Sequence, residues 1–167
     1  IMLNGLITEE DIRLVNQRGI PMVFMDRNIR MPGTGCVLID NGSGTHEQVG
    51  YLYHTGHRRI AYFGVSNAML FSAERKRGYQ MSLLKHDITP REGDCVEIDT
   101  LNDSYEPALK ALLTAPDRPT AILVSDDILA VVLEQFCSKL GLRIPKDLSI
   151  VSFNNSLFSR ITNPPLT

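Results

Sequence analysis

Short apolar runs rich in β-branched and aromatic residues alternate along this chain with longer stretches of helical period, and no other feature narrows the choice of fold as far. The runs are Met22 to Asp26, Val37 to Asp40, Ile60 to Gly64, Cys95 to Ile98, Ala121 to Ser125 and Ser149 to Phe153. A half-exposed strand alternates apolar with polar residues; most of these runs do not, as strands buried on both faces do not. Strand, helix, strand repetition with such strands predicts an α/β fold in which crossover helices cover both faces of a parallel sheet.

Caps and apolar spacing place the helices. One runs from about Thr8 to Arg18. A second follows the Asn41 to Ser43 cap, carries Val49, Leu52 and Tyr53, and ends at Gly56. Ser72 is read as the cap of a third, with Tyr79 and Leu83 four residues apart. Ser104 is read as the cap of a fourth, because it puts Pro107 in the first turn ahead of Leu109, Leu112 and Leu113. Leu129, Val132, Leu133, Phe136 and Leu140 form the inward stripe of a fifth, stopped by Gly141. Asn28 to Gly35 reads as a loop. Residues 1–40 supply one helix and two or three strands, too little to close a second layer, and Pro164 and Pro165 read as a connector. Both ends are therefore expected to be cut from something larger.

Charge and cysteine usage exclude several function classes. Seventeen Lys and Arg against nineteen Asp and Glu give a formal charge of −2, without the basic excess on which non-specific nucleic-acid binding draws. Cys36, Cys95 and Cys137 are too few and too scattered for a disulfide framework or a paired zinc motif and read as reduced, buried thiols. No apolar run reaches the roughly 20 residues of a bilayer span, so a soluble cytoplasmic protein without a membrane partner is expected. Enzyme motifs do not appear: the phosphate loop is missing, Gly33-Thr34-Gly35 and Gly42-Ser43-Gly44 lack the third glycine of a dinucleotide fingerprint, and no nucleophile elbow is present. His46, His54, His57 and His86 show no metal-binding pair. The expectation is a non-enzyme with neither cofactor nor metal.

What remains is a set of polar residues at strand ends, where a doubly wound sheet opens its binding crevice. Asp26 and Asp40 end two runs, Asp126 and Asp127 follow a third, Asn154 and Asn155 follow a fourth, and Arg75 is expected in the first turn of the helix after Gly64. Carboxylates and amides facing a guanidinium suit a small polyhydroxylated ligand. Helix capping is the competing reading, above all for Asp127 and Asn155.

These residues occur within segments that together resemble the LacI/GalR family of bacterial transcriptional regulators: GIPMVFMDR at 19–27, IDN at 39–41, TGHRRIA at 55–61, ER at 74–75 with GY at 78–79, AILVSDD at 121–127, GLRIPKDLS at 141–149, SFNNS at 152–156 and PPLT at 164–167. The resemblance implies a type I periplasmic-binding-protein-like core of two Rossmann-like subdomains with a ligand cleft between them. Residues 1–40 would end the N-terminal subdomain, 41–163 would form the C-terminal one, and 164–167 would be a crossover. It implies a homodimer that binds operator DNA through an N-terminal helix-turn-helix lying outside this sequence, with a sugar-like effector shifting DNA affinity by favouring one orientation of the subdomains.

Position by position, Arg75 matches the family's effector-clamping arginine, and Asp26 and Asp40 match cleft positions that meet ligand directly or through water. Asp126 stands where the family often has Asn, and Asn154 where it usually has Asp, so the two are exchanged. An aromatic residue often stacks on the ligand just before the Ser104 helix. Asp99 and Thr100 stand there instead, leaving Phe71 and Phe158 to take that part or to pack in the core. The dimer interface would use Val131, Glu134 and the stretch from Phe158 to Thr162. A periplasmic sugar-binding protein of a transport system is the alternative on the same fold, and an enzyme on a Rossmann-like scaffold is a third reading.

Overall fold

The computed structural model describes residues 7–66, 70–99 and 104–166; Thr100 and Thr167 lie outside them. The chain forms two compact units, Ile1–Asp40 and Asn41–Thr167.

In the first unit, helix α1 (Glu9–Gln17) precedes two parallel strands, β1 (Met22–Met25) and β2 (Thr34–Val37). Thr8 caps α1 in a reciprocal box: its hydroxyl accepts the Asp11 N–H while the Asp11 carboxylate accepts the Thr8 N–H at 2.9 Å. Ile12, Met22 and Phe24 form the small core. The second strand does not lie at Val37 to Asp40, as its apolar residues suggested. Pairing with β1 draws Thr34, Gly35 and Cys36 into the ladder and leaves Leu38 to Asp40 beyond it.

The second unit runs α2 (Asn41–His54), β3 (Ile60–Val65), α3 (Leu70–Lys85), β4 (Cys95–Ile98), α4 (Glu106–Thr114), β5 (Ala121–Val124), α5 (Asp127–Lys139), β6 (Ser149–Ser152) and α6 (Leu157–Ile161). Its strands lie in the order β4-β3-β5-β6, all parallel. Successive strand residues point to opposite faces, and two cores result. Ile60, Tyr62, Ala121, Leu123 and Val151 meet Val49 and Leu52 of α2 and Tyr79 and Leu83 of α3. Ala61, Phe63, Ile122, Val124 and Ile150 meet Leu109, Leu112 and Leu113 of α4 and Leu129, Leu133 and Phe136 of α5. Gly56 and Gly141 follow α2 and α5 in left-handed conformations, as expected for helix stops.

Three caps differ from expectation. Helix α2 already begins at Asn41, so Asn41 to Ser43 form its first turn rather than the cap before it. Helix α3 begins at Leu70, so Ser72 lies inside it, is buried, and cannot cap it, while Arg75 falls in the second turn rather than the first. The N-cap of α4 is Tyr105, one residue past Ser104, without a side-chain bond; Pro107 still falls in the first turn, where its missing N–H costs nothing.

At the amino ends of the strands, the Arg59 guanidinium grips the buried Asp94 carboxylate with two bonds, 2.6 and 3.2 Å long, fastening β3 to the entry of β4. Helices α2 and α3 bring basic and aromatic side chains together along their shared seam. Arg58 lies 4.1 Å over the Tyr53 ring, Tyr53 stacks on His86 at 4.2 Å, His54 meets both rings edge-on, and Lys85 Nζ sits 3.1 Å from His46 Nε2. Burial, with His54, His46, Lys85 and Arg58 nearby, holds the His86 imidazole below its ordinary 6.5. The fold therefore favours neutral His86: this contribution is complete above pH 6.5 and is lost as pH falls from there toward the lowered folded value. Thermal melts between about pH 8 and about pH 5 are expected to show a steeper acid loss for the native chain than for His86→Phe, which keeps the stacked ring and removes the titration. Parallel curves would contradict the assignment.

Candidate ligand-binding site

Between β3 and β5 the strand order reverses, because the chain leaves β3 for β4 on one side and returns to β5 on the other. In an open α/β sheet such a point opens a crevice outside the carboxyl ends of the strands. Arg75 sits there, only 5% exposed. Its Nε donates to Asn41 Oδ1 at 2.9 Å, its Nη1 to the Ser125 carbonyl at 2.6 Å and its Nη2 to Asn154 Oδ1 at 3.3 Å. The guanidinium carbon also stands 3.8 Å from the Phe153 ring centroid and 4.9 Å from that of Phe71. A planar fork with donors on three sides can join three segments at once, which a lysine ammonium on its flexible stem cannot do with fixed geometry.

The strand-end residues divide by role. Asp126 caps α5: its Oδ1 accepts the N–H groups of Ile128 and Leu129 at 3.0 Å each, and its Oδ2 accepts the Ser125 hydroxyl. The sequence left Asp127 open between capping and ligand contact. Asp127 is instead buried inside the first turn, where its carboxylate accepts the Ser152 hydroxyl and the Ser156 N–H and so ties α5 to the end of β6. Asn155 accepts from the Ser159 hydroxyl at 3.2 Å, and the cap of α6 is Ser156.

Asn154 and Asn155 both have left-handed backbones, with φ of 94° and 49°. Asparagine tolerates that region better than most residues, so two consecutive asparagines let the chain turn sharply off β6. The turn leaves Asn154 exposed while its carbonyl oxygen faces Arg75. Asn154, Arg75, Phe71 and Asp126 are thus all carried on the carboxyl-edge segments of the second unit. Asp26 and Asp40 belong to the first unit, where both are exposed; Asp26 directly follows β1 with φ 58°.

Of the proposed interface residues, Val131 and Glu134 are half-buried on α5, Phe158 is 45% exposed on α6, and the Thr162 hydroxyl donates to the Ser159 carbonyl at the end of α6. Burial pushes the Glu134 carboxyl up. Glu134 also lines a groove of about 310 Å³ beside β6 with Tyr51, His57, Pro145 and Leu166.

Sequence reasoning missed Asn41, read only as a cap, and Phe153, read only as a strand end. Both touch Arg75 from more than 30 positions away, Asn41 at a separation of 34. Their one sequence signal is adjacency: Asn41 follows Asp40, and Phe153 precedes Asn154.

Residues 49–167 match the family of periplasmic binding protein-like domains, and the chain belongs to that family. Within it, the similar proteins are LacI-family regulators. Catabolite control protein A of Priestia megaterium is 29% identical over 168 residues, covering 100% of this chain and 51% of that protein. The transcriptional repressor PurR of Edwardsiella ictaluri is 33% identical over 155 residues, covering 92% and 46%. The solved complex of the transcriptional regulator CelR with cellobiose has a TM-score of 0.80 at 27% identity, covering 99% of this chain and 51% of that one. A transcription regulator from Lactobacillus plantarum reaches a TM-score of 0.84 at 25% identity, covering 99% and 62%. The chain spans about half the length of the curated relatives it matches. Those relatives are regulators rather than enzymes or transport proteins, which sets the transport alternative aside.

Capping and ligand contact at Asp126 are separable. Asp126→Ala is expected to cost about 1 kcal/mol of stability through the lost cap, whereas Asp126→Asn, whose amide oxygen still caps, stays within about 0.5 kcal/mol of the native protein. Urea denaturation measures both; equal losses would remove the cap assignment.

Proposed function

We propose that this chain is the effector-binding part of a LacI-type transcriptional repressor, taking a small polyhydroxylated ligand, a sugar or sugar derivative, at the carboxyl-end crevice of its second unit. The reading is carried by Arg75, a buried guanidinium held in one orientation by three segments, with the exposed Asn154 amide beside it. Preorganised donors of this kind recognise ligand oxygens without reordering. Occupancy would shift DNA affinity in proportion to its preference for one protein conformation. The DNA contacts belong to a helix-turn-helix outside these residues. The protein is read as a cytoplasmic non-enzyme that needs no cofactor.

A thermal-shift panel on the full-length protein tests this, with cellobiose, D-glucose, glucose 6-phosphate and hypoxanthine as probes of the sugar, phosphosugar and nucleobase classes. At about 100 times its Kd a true ligand adds about 2.7 kcal/mol of stability, and Arg75→Lys is expected to lose most of that gain. A shift with hypoxanthine alone would refute the sugar assignment. The Asp126 and Asn154 exchange is read as setting ligand orientation, because a carboxylate only accepts hydrogen bonds while an amide also donates. The double variant Asp126→Asn, Asn154→Asp should therefore change the rank order of the panel; an unchanged order removes the idea. Asp26 and Asp40 are assigned as ligand acceptors and Phe71 as a stacking surface on the family resemblance, and calorimetry on Asp26→Asn, Asp40→Asn and Phe71→Leu tests each.

The protein is also read as a homodimer through α5 and α6. Leu157, Phe158 and Ile161 on α6 are 71%, 45% and 66% exposed, Thr162 follows them, and α6 packs against α5, the helix that carries Val131 and Glu134. A charge placed at a buried apolar contact commonly costs more than about 2 kcal/mol, roughly 30-fold in Kd. Phe158→Asp should then shift sedimentation from dimer to monomer; a monomeric native protein, or a dimer untouched by this change, would exclude the interface.

A further inference from the structure

Tyr62 and Tyr79 lie on the same face of the sheet with their rings 5.3 Å apart, and their hydroxyls are treated differently. The Tyr79 hydroxyl donates to the Ile60 carbonyl at 2.9 Å. Tyr62 is 0% exposed, and its hydroxyl has no hydrogen-bond partner among the described residues. A phenylalanine would fill the same volume without leaving a buried polar atom unmatched, so the hydroxyl calls for a cause.

Its direction supplies one. Residue 64, two positions along the strand on the same face, is glycine, and a Cβ there would stand 2.5, 2.6 and 2.7 Å from Cε1, Oη and Cζ of Tyr62. The ring therefore lies along β3 over Gly64 and carries its oxygen toward the carboxyl end of the sheet. Gly64 is in register with Glu97 of β4, and Phe63 with Val124 of β5, which places Ser125 on the other side. Helix α3 spans these strands with adjacent residues: Arg75 donates to the Ser125 carbonyl and Lys76 pairs with Glu97. One turn nearer the crevice on α3 is Ser72, only 3% exposed, whose hydroxyl also has no partner among the described residues. Two buried, unmatched hydroxyls thus lie on the elements around Arg75, Tyr62 on β3 with its ring over Gly64 and Ser72 on α3 one turn before Arg75.

We propose that Tyr62 and Ser72 form a hydroxyl-binding floor of the Arg75 crevice, holding one group that both donates and accepts, either an internal water or a hydroxyl of the bound ligand. Burial pushes the Tyr62 phenol well up, so it stays protonated and presents a donor as well as an acceptor. Two hydroxyls are complementary to water or an alcohol, whereas a carboxylate, which only accepts, or an ammonium, which only donates, would leave one of their capacities unmet. The ligand arm rests on the sugar-site reading above; the water arm does not.

The test uses the full-length protein with Tyr62→Phe, Ser72→Ala and the double variant, read by thermal melts without ligand and by calorimetric titration with cellobiose and with D-glucose. A shared water makes each single change lower the ligand-free melting temperature by about 2 °C or more, with the double variant losing less than the sum. A ligand hydroxyl leaves the ligand-free melts unchanged or raised and weakens sugar binding about tenfold in Tyr62→Phe. Tyr62→Phe with neither a lowered melting temperature nor weakened binding overturns the proposal. Arg75→Lys separates the two readings: sugar binding lost there but intact in Tyr62→Phe defeats only the ligand arm. If the native protein binds neither sugar, the sugar-site reading fails and the ligand-free melts alone decide for or against the water.

Discussion

A guanidinium taken out of water must have its charge and its N–H donors met by the protein, and at Arg75 that demand organises one whole edge of the sheet. Its acceptors include the first residue of α2, the peptide carbonyl after β5 and the turn after β6, so three connections that the chain reaches at different times are held to one plane. Phe153 and Phe71 lie against its faces and keep the surroundings apolar, where such bonds are strengthened. Asn41 in turn donates to Glu74 at 2.9 Å, so α2 and α3 are tied at their amino ends by the residues that present the site.

Arg59 shows what the same side chain does when its role is only structural. It meets the buried Asp94 carboxylate in a fork-to-fork pair and also reaches the exposed Asp117, joining the amino ends of β3 and β4. A bidentate carboxylate satisfies the guanidinium locally and leaves it little to offer a ligand. The partners of Arg75 include two amides and a peptide carbonyl at the carboxyl end of the sheet. The two arginines lie 16 residues apart in the chain, Arg59 at the amino end of β3 and Arg75 bonded to segments that follow the carboxyl ends of β5 and β6.

Much of this was legible in the sequence because strands buried on both faces write themselves as apolar runs; β4 was located to the residue, and β3, β5 and β6 to within one. β2 was not, since Thr34 and Gly35 look like turn residues and only pairing with β1 makes them strand. Ser72 was misread because a buried serine inside a helix and a capping serine before it look alike until the helix start is known. Asp126 and Asp127 stand side by side with the same chemistry, and only the register of α5 decides which caps and which is buried. Arg75 could be singled out, yet its partners could not, because they lie 34, 50 and 79 positions away, beyond any periodic or capping pattern.

The placement of a carboxylate at 126 and an amide at 154 follows from what each position supplies. At 126 the amino end of α5 provides two N–H groups, and the side-chain oxygen accepts both. At 154 the backbone is left-handed and Arg75 is the neighbour; Asp and Asn both tolerate that conformation, but only Asn keeps an N–H donor after its oxygen has met the guanidinium. A carboxylate there would pair with Arg75 and turn only acceptors toward the crevice. With asparagine the same atom position holds Arg75 while the amide nitrogen keeps its capacity to donate.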